Sequence, residues 1–250
     1  MNYKEMQALQ YKNGSTNPIN EKLIKEEILS LNINGAHIED RTTIEEDMEL
    51  LALGRYFELL NVEPELIVNT LEMSKNKANI ASNTLNLSSI LNQSKNDSNI
   101  GINRANRLKY GEIVLSPETI FKIKNNYEEQ SALFRETAGV HSSSIFDEYG
   151  KNLGFFIDIS RRNCLSKATG YLIKNKEQIK DKKLCIMLSS RVNSEMIKMF
   201  DKLGVSTLIT KAAPSYDSVI ESKKRNITLV GFLKEERFTI FCGEQRVIIR

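Results

Sequence analysis

Hydrophobic and polar positions change period along this chain, and the changes mark its elements. Residues 1–20 are polar and read as a flexible tail. Between Ile28 and Asp40, Leu29, Leu31 and Ile33 alternate with polar residues ahead of Asn34-Gly35, the dipeptide that best suits a two-residue hairpin turn. Thr43 and Glu46 have the spacing of a capping box. Behind them Met48, Leu51, Ala52, Tyr56, Leu59 and Leu60 recur at helical spacing, and Pro64 stops the segment. Leu66–Met73 and Asn79–Leu87 read as strands. Asn92 to Asn99 is nearly all polar, and the stretch 92–106 reads as a mobile surface loop.

Ser116-Pro117 then has the form of a helix start, with serine as N-cap and proline at the first helical position. Ile120, Ile123 and Tyr127 fall on its inner face. From there strands and helices alternate. Val140–Phe146 and Leu153–Ile159 predict strands, and Arg162–Ile179 a helix. Leu184–Ser189 predicts a buried strand, and Val192–Leu203 a helix ended by Gly204. Thr207–Thr210 predicts a short strand and Pro214–Lys223 a helix. Ile227–Phe232 and Phe238–Cys242 predict a final antiparallel pair. The order gives an α/β class, α+β overall. A smaller N-terminal α+β domain takes residues 21–115, and an α/β domain with parallel neighbours takes residues 116–250.

Composition narrows the classes. Forty per cent apolar and 27% charged residues are ordinary for a globular chain of 250 residues. A net charge of +3 argues against a dedicated nucleic-acid binder. No apolar run approaches the ~20 residues of a membrane helix, and no apolar leader opens the chain, so the expected setting is the cytoplasm. The three cysteines, Cys164, Cys185 and Cys242, form no CxxC pair, which argues against a structural zinc site.

In open α/β sheets, ligands bind at the carboxyl ends of strands, against helix N-termini. Three predicted strands end in suitable residues: Ser189-Ser190-Arg191, Lys211, and Ser160-Arg161-Arg162. The last turn adds Lys234 and Arg237. Hydroxyls, guanidinium groups and free backbone N–H groups together suit a phosphate. The same residues also fit solvated loops. His141, at the start of a strand, fits either a structural role or the site. Cys164 follows Arg161-Arg162-Asn163 at a predicted helix start, where cations and the helix dipole would lower its pKa. A first-turn core cysteine would look the same.

The chain resembles the formate dehydrogenase accessory sulfurtransferase family, FdhD, from about residue 25 to its C-terminus. The resemblance runs through Asp47–Gly54, Phe134–His141, Asp158 with Arg161, Asn163 and Lys167, Ser189–Arg191, Glu195-Met196, Lys211–Pro214 and Leu229–Phe232. It implies a cytidine-deaminase-like C-terminal domain without zinc. It also implies sulfur transfer, as a persulfide, from a cysteine desulfurase to the bis-molybdopterin guanine dinucleotide cofactor of formate dehydrogenase. Apo-formate dehydrogenase would be the client, and a homodimer the common state. The family's cofactor-binding segment falls on Phe232, Leu233, Lys234, Glu235, Glu236 and Arg237. Arg161, Lys167, Arg191, Lys211, Lys234 and Arg237 would supply its cations. The family's persulfide CxxC falls near Ile100 and Asn103, neither of which can carry sulfur, so Cys164 is left as the candidate thiol. Three readings follow: a sulfur carrier acting through another cysteine, a cofactor-binding or chaperone module that moves no sulfur, or a structural or regulatory relative with no ligand.

Overall fold

The computed structural model describes residues 2–60, 70–81 and 112–248. Among them, twelve strands form three sheets. Strands β1 (Tyr3–Lys12) and β2 (Ser15–Ile24) make an antiparallel ribbon. Its turn, Asn13-Gly14, has φ of 51° and 83°, the left-handed pair that a type I′ hairpin requires. The expected tail is therefore a hairpin. Nearly every residue of both strands is exposed, so no buried alternation marked them. The remaining signal was the Asn-Gly turn.

The second sheet joins β3 (Glu27–Ile33), β4 (Ala36–Thr43), β5 (Thr70–Ser74) and β6 (Lys77–Ala81) in the order β4-β3-β6-β5. The hairpin at Asn34-Gly35 forms as expected, and Leu29, Leu31 and Ile33 point inward. The outer parts of the two next predicted strands, and the loop 92–106 with Ile100 and Asn103, lie outside the described residues. Helix α1 (Met48–Leu60) follows, but Thr43 does not cap it. Thr43 is the last residue of β4, fully buried, and its hydroxyl donates to the Asp158 carboxylate.

Helix α2 (Pro117–Gln130) begins at Ser116, whose hydroxyl accepts the Thr119 N–H, and buries Ile120, Ile123 and Tyr127. A short α3 (Ala132–Thr137) leads to the third sheet. Its strands are β7 (His141–Asp147), β8 (Asn152–Asp158), β9 (Leu184–Leu188), β10 (Thr207–Thr210), β11 (Thr228–Gly231) and β12 (Thr239–Cys242), in the order β12-β11-β10-β9-β7-β8. β9, β10 and β11 are parallel, whereas β7 and β12 run against their neighbours. The predicted long helix breaks at Asn175 into α4 (Arg161–Lys174) and α5 (Lys176–Ile179). Helices α6 (Ser194–Lys202) and α7 (Tyr216–Arg225) complete the alternation.

Strand β9, Leu-Cys-Ile-Met-Leu, is buried throughout because both sheet faces are covered. Leu184, Ile186 and Leu188 join a core with Leu165, Ala168 and Leu172 of α4 that continues through Tyr56 of α1 to Leu29 and Leu31 of β3. Cys185 and Met187 face the opposite way, into a second core with Ile120, Ile123 and Tyr127 of α2. One continuous core thus spans the two predicted domains. Among the described residues no helix is long and apolar enough to cross a membrane.

Helices α1 and α4 meet backbone to backbone. A Cβ on Gly54 would lie 1.8 Å from the Ser166 carbonyl oxygen, and one on Gly170 would lie 2.0 Å from that of Leu50. Alanine normally gains about 1 kcal/mol over glycine within a helix. Here the added methyl meets backbone that cannot move aside, so overpacking prevails. Gly54→Ala should lower stability by about 2–3 kcal/mol in denaturant unfolding. An unchanged or raised midpoint would contradict this contact.

Candidate functional site

β8, β9, β10 and β11 all point the same way, so their carboxyl ends share one edge of the third sheet. β7 runs in the opposite sense and brings its first residue, His141, to the same edge, paired with Asp158. The edge therefore gathers Ser160-Arg161, His141, Ser189-Ser190-Arg191, Lys211 and the segment from Phe232 to Arg237. The sequence reading placed these residues at separate strand ends, and the topology brings them together.

Several local bonds shape the edge. The Ser189 hydroxyl accepts the Ser142 N–H at 3.0 Å and lies 3.4 Å from His141 Nδ1. Burial, and then the positive charge of Arg161, push the His141 pKa down, which favours neutral imidazole at pH 7. The Thr210 hydroxyl donates to the Ser190 carbonyl at 2.7 Å and accepts the Ala212 N–H at 3.1 Å, tying the end of β10 to the loop after β9. Gly231 lets the chain lie close: a Cβ there would be 2.9 Å from the Phe241 ring and 3.0 Å from Pro214. Phe232 then adopts a left-handed φ of 52°, held by its N–H to the Ala212 carbonyl at 3.1 Å. Its ring remains partly exposed.

The expected site residues are not equivalent. Leu233 is buried in the second core, and its side chain is turned away from the edge. Lys234, Glu235, Glu236 and Arg237 are all exposed, with the Lys234 N–H closing the turn on the Arg237 carbonyl at 2.8 Å. Two acids there offset the two cations. Arg162 pairs with Glu195 at 2.6 Å. Lys167 does not belong to the edge: it is fully buried, 2.9 Å from the Asp158 carboxylate. Lys211 is not a simple solvated cation, because its ammonium lies 2.6 Å from Glu128. Sequence reasoning missed Glu128 and Lys124, both on α2. The available signal was their four-residue spacing beside Tyr127, which places all three on one helix face.

The expectation for Cys164 reverses. The thiol is buried and donates weakly to the Asp158 carbonyl at 3.8 Å. Burial first, and then the Asp158 charge, push its pKa up, outweighing the favourable Lys167 charge. Burial likewise raises Cys185 and Cys242, so all three thiols are buried and held in the protonated form.

Fold and edge together define an α/β protein whose sheet presents serines and cations at one end and whose thiols are sealed in its core. The sequence model of the FdhD/NarQ family matches residues 24–248, and the chain belongs to that family. Its relatives include the sulfur carrier protein FdhD of Bacillus pumilus (strain SAFR-032), 35% identical over 135 residues, 54% of this chain and 50% of that one. The FdhD protein of Bacillus subtilis (strain 168) is 32% identical over 136 residues, 54% of this chain and 51% of that one. These matches span about half the length of the curated relatives. A crystal structure from Desulfotalea psychrophila, described as that of a formate dehydrogenase accessory protein, shares the fold with a TM-score of 0.80. The match is 15% identical and covers 98% of this chain and 99% of that one.

Native protein at pH 7.5 should resist a maleimide probe at all three cysteines and take it up only on unfolding. Fast labelling of Cys164 in the folded state would reinstate it as a nucleophile.

Proposed function

We propose that this chain is an accessory protein of formate dehydrogenase maturation that binds the guanine-nucleotide part of a bis-molybdopterin guanine dinucleotide cofactor without carrying sulfur on its own thiols. The observation that carries the reading is the gathering of Ser189, Ser190, Arg191, Arg161, His141, Lys211 and the Phe232–Arg237 segment on one sheet edge. The donor set fits the group. Hydroxyls, guanidinium groups and the turn after β11 suit phosphates, and the Phe232 ring, 42% exposed, offers a face to a base. Metal-centred chemistry belongs to the cofactor; this chain's residues would bind and orient it. Apo-formate dehydrogenase is the partner that goes with this reading, and the cytoplasm is its setting.

The second reading, sulfur transfer from a cysteine desulfurase, is favoured by the names of the relatives. Against it stand the burial of all three cysteines and the residues Ile100 and Asn103 where the resemblance places the reactive pair. A persulfide needs an accessible thiolate.

Two measurements separate the readings. By calorimetry, replacing both Lys234→Ala and Arg237→Ala should weaken GDP binding about tenfold or more, since charge-assisted contacts contribute roughly 1.5–3 kcal/mol each when desolvated. An unchanged affinity would remove this segment from the site. In intact-mass spectrometry after incubation with a cysteine desulfurase and cysteine, the protein should gain no sulfur atom. A one-sulfur adduct lost in Cys164→Ser would restore the carrier reading.

A further inference from the structure

One carboxylate on α2 bridges two ammonium groups at the centre of the candidate edge. Glu128 Oε1 lies 2.6 Å from Lys211 Nζ, and Glu128 Oε2 lies 3.0 Å from Lys124 Nζ. Lys211 follows β10, between the Ser190 loop, held by the Thr210 hydroxyl, and the Leu233 N–H bonded to the Thr210 carbonyl at 3.3 Å. The three groups differ in exposure. The Lys124 side chain is 6% exposed, whereas those of Glu128 and Lys211 are 37% and 39% exposed. Lys124 is confined, but Glu128 stands at the surface and can rotate into water.

We propose that Lys124 and Lys211 form a phosphoryl subsite whose place is held by the Glu128 carboxylate. The proposal deepens the nucleotide reading above and names two residues, Lys124 and Glu128, outside the resemblance. Two ammonium groups converging on two oxygens of one anion also suit the oxygens of a phosphoryl group. A confined ammonium is costly to bury without a counter-charge, so an anion must remain there. Glu128 provides that anion within the chain. Burial tends to raise its pKa, but its bonds to Lys211 and Lys124 outweigh this and hold it below the usual carboxylate range, which keeps it charged at neutral pH. An incoming phosphoryl group would take over both lysines as Glu128 turns outward, so the subsite stays neutralised in both states.

The test is calorimetric, on the full chain, with inorganic pyrophosphate and GDP as probes. Glu128→Gln keeps the shape and an accepting oxygen but removes the competing charge. It should bind pyrophosphate about tenfold more tightly than the wild type, the factor one charge-assisted contact is worth. Lys211→Met, at an exposed position that leaves the core intact, should abolish that gain in the double variant and weaken binding alone. Equal pyrophosphate affinity in the wild type and Glu128→Gln would overturn the subsite, as would a gain that survives Lys211→Met. Tightened pyrophosphate binding with no GDP binding by either protein would uphold the subsite and sink the guanine-nucleotide reading.

Discussion

The rest of the structure depends on one buried ion pair. Asp158 and Lys167 are both wholly inaccessible and lie 2.9 Å apart. A buried pair is tolerated only if its remaining hydrogen-bonding groups find partners, and both Asp158 oxygens and the Lys167 ammonium do so. One Asp158 oxygen accepts the Ser160 N–H and the Asn163 side-chain amide, each at 3.0 Å; the other takes the Thr43 hydroxyl. Lys167 also donates to the Ile157 carbonyl at 2.8 Å, and Asn163 to the Thr42 carbonyl at 2.8 Å. The pair thereby fastens β4, an edge strand of the second sheet, to the end of β8 and to the start of α4. It fixes where Ser160 and Arg161 emerge at the candidate edge. Its carboxylate also adds to the effect of burial in holding the Cys164 thiol protonated.

At the edge the charges follow a different rule. Lys211 leans on Glu128, Arg162 on Glu195, and Lys234 and Arg237 share their turn with Glu235 and Glu236. Exposed pairs such as Lys211–Glu128 and Arg162–Glu195 contribute little to stability, typically up to about 1 kcal/mol each. Separating such a pair costs little, whereas breaking the Asp158–Lys167 pair would leave an uncompensated buried charge. The same residue types thus serve as a fixed joint inside and as weakly held pairs at the rim, and burial decides which.

Legibility in the sequence follows the same division. The Asn34-Gly35 turn, the Ser116-Pro117 helix start and the continuous apolar run of β9 were readable because each local signal agrees with the packing. The ribbon of residues 3–24 was not, because without a buried face its strands carry no period. The topology brings the strand-end cations to one edge, but Lys167, grouped with them by the resemblance, lies in the core: sequence spacing says nothing of which lysine faces a buried carboxylate 2.9 Å away. For Cys164 two effects compete. A helix N-terminus stabilises a charge by at most about 2 kcal/mol, whereas full burial can raise an acid's pKa by several units. The sequence displayed the weaker effect and hid the stronger.

That imbalance also bears on how a family function can divide. Sulfur transfer depends on one accessible thiolate, and a single substitution removes it. Anion binding at a sheet edge depends on strand direction, backbone N–H groups and several cations contributed by different elements. The buried Asp158–Lys167 joint ties the end of β8 to the start of α4 away from the rim, so on the proposed reading replacing any one rim cation would weaken the site without dismantling it. On the proposed reading, a chain that keeps the joint and the edge while its thiols lie in the core would lose the transfer step and still hold the ligand.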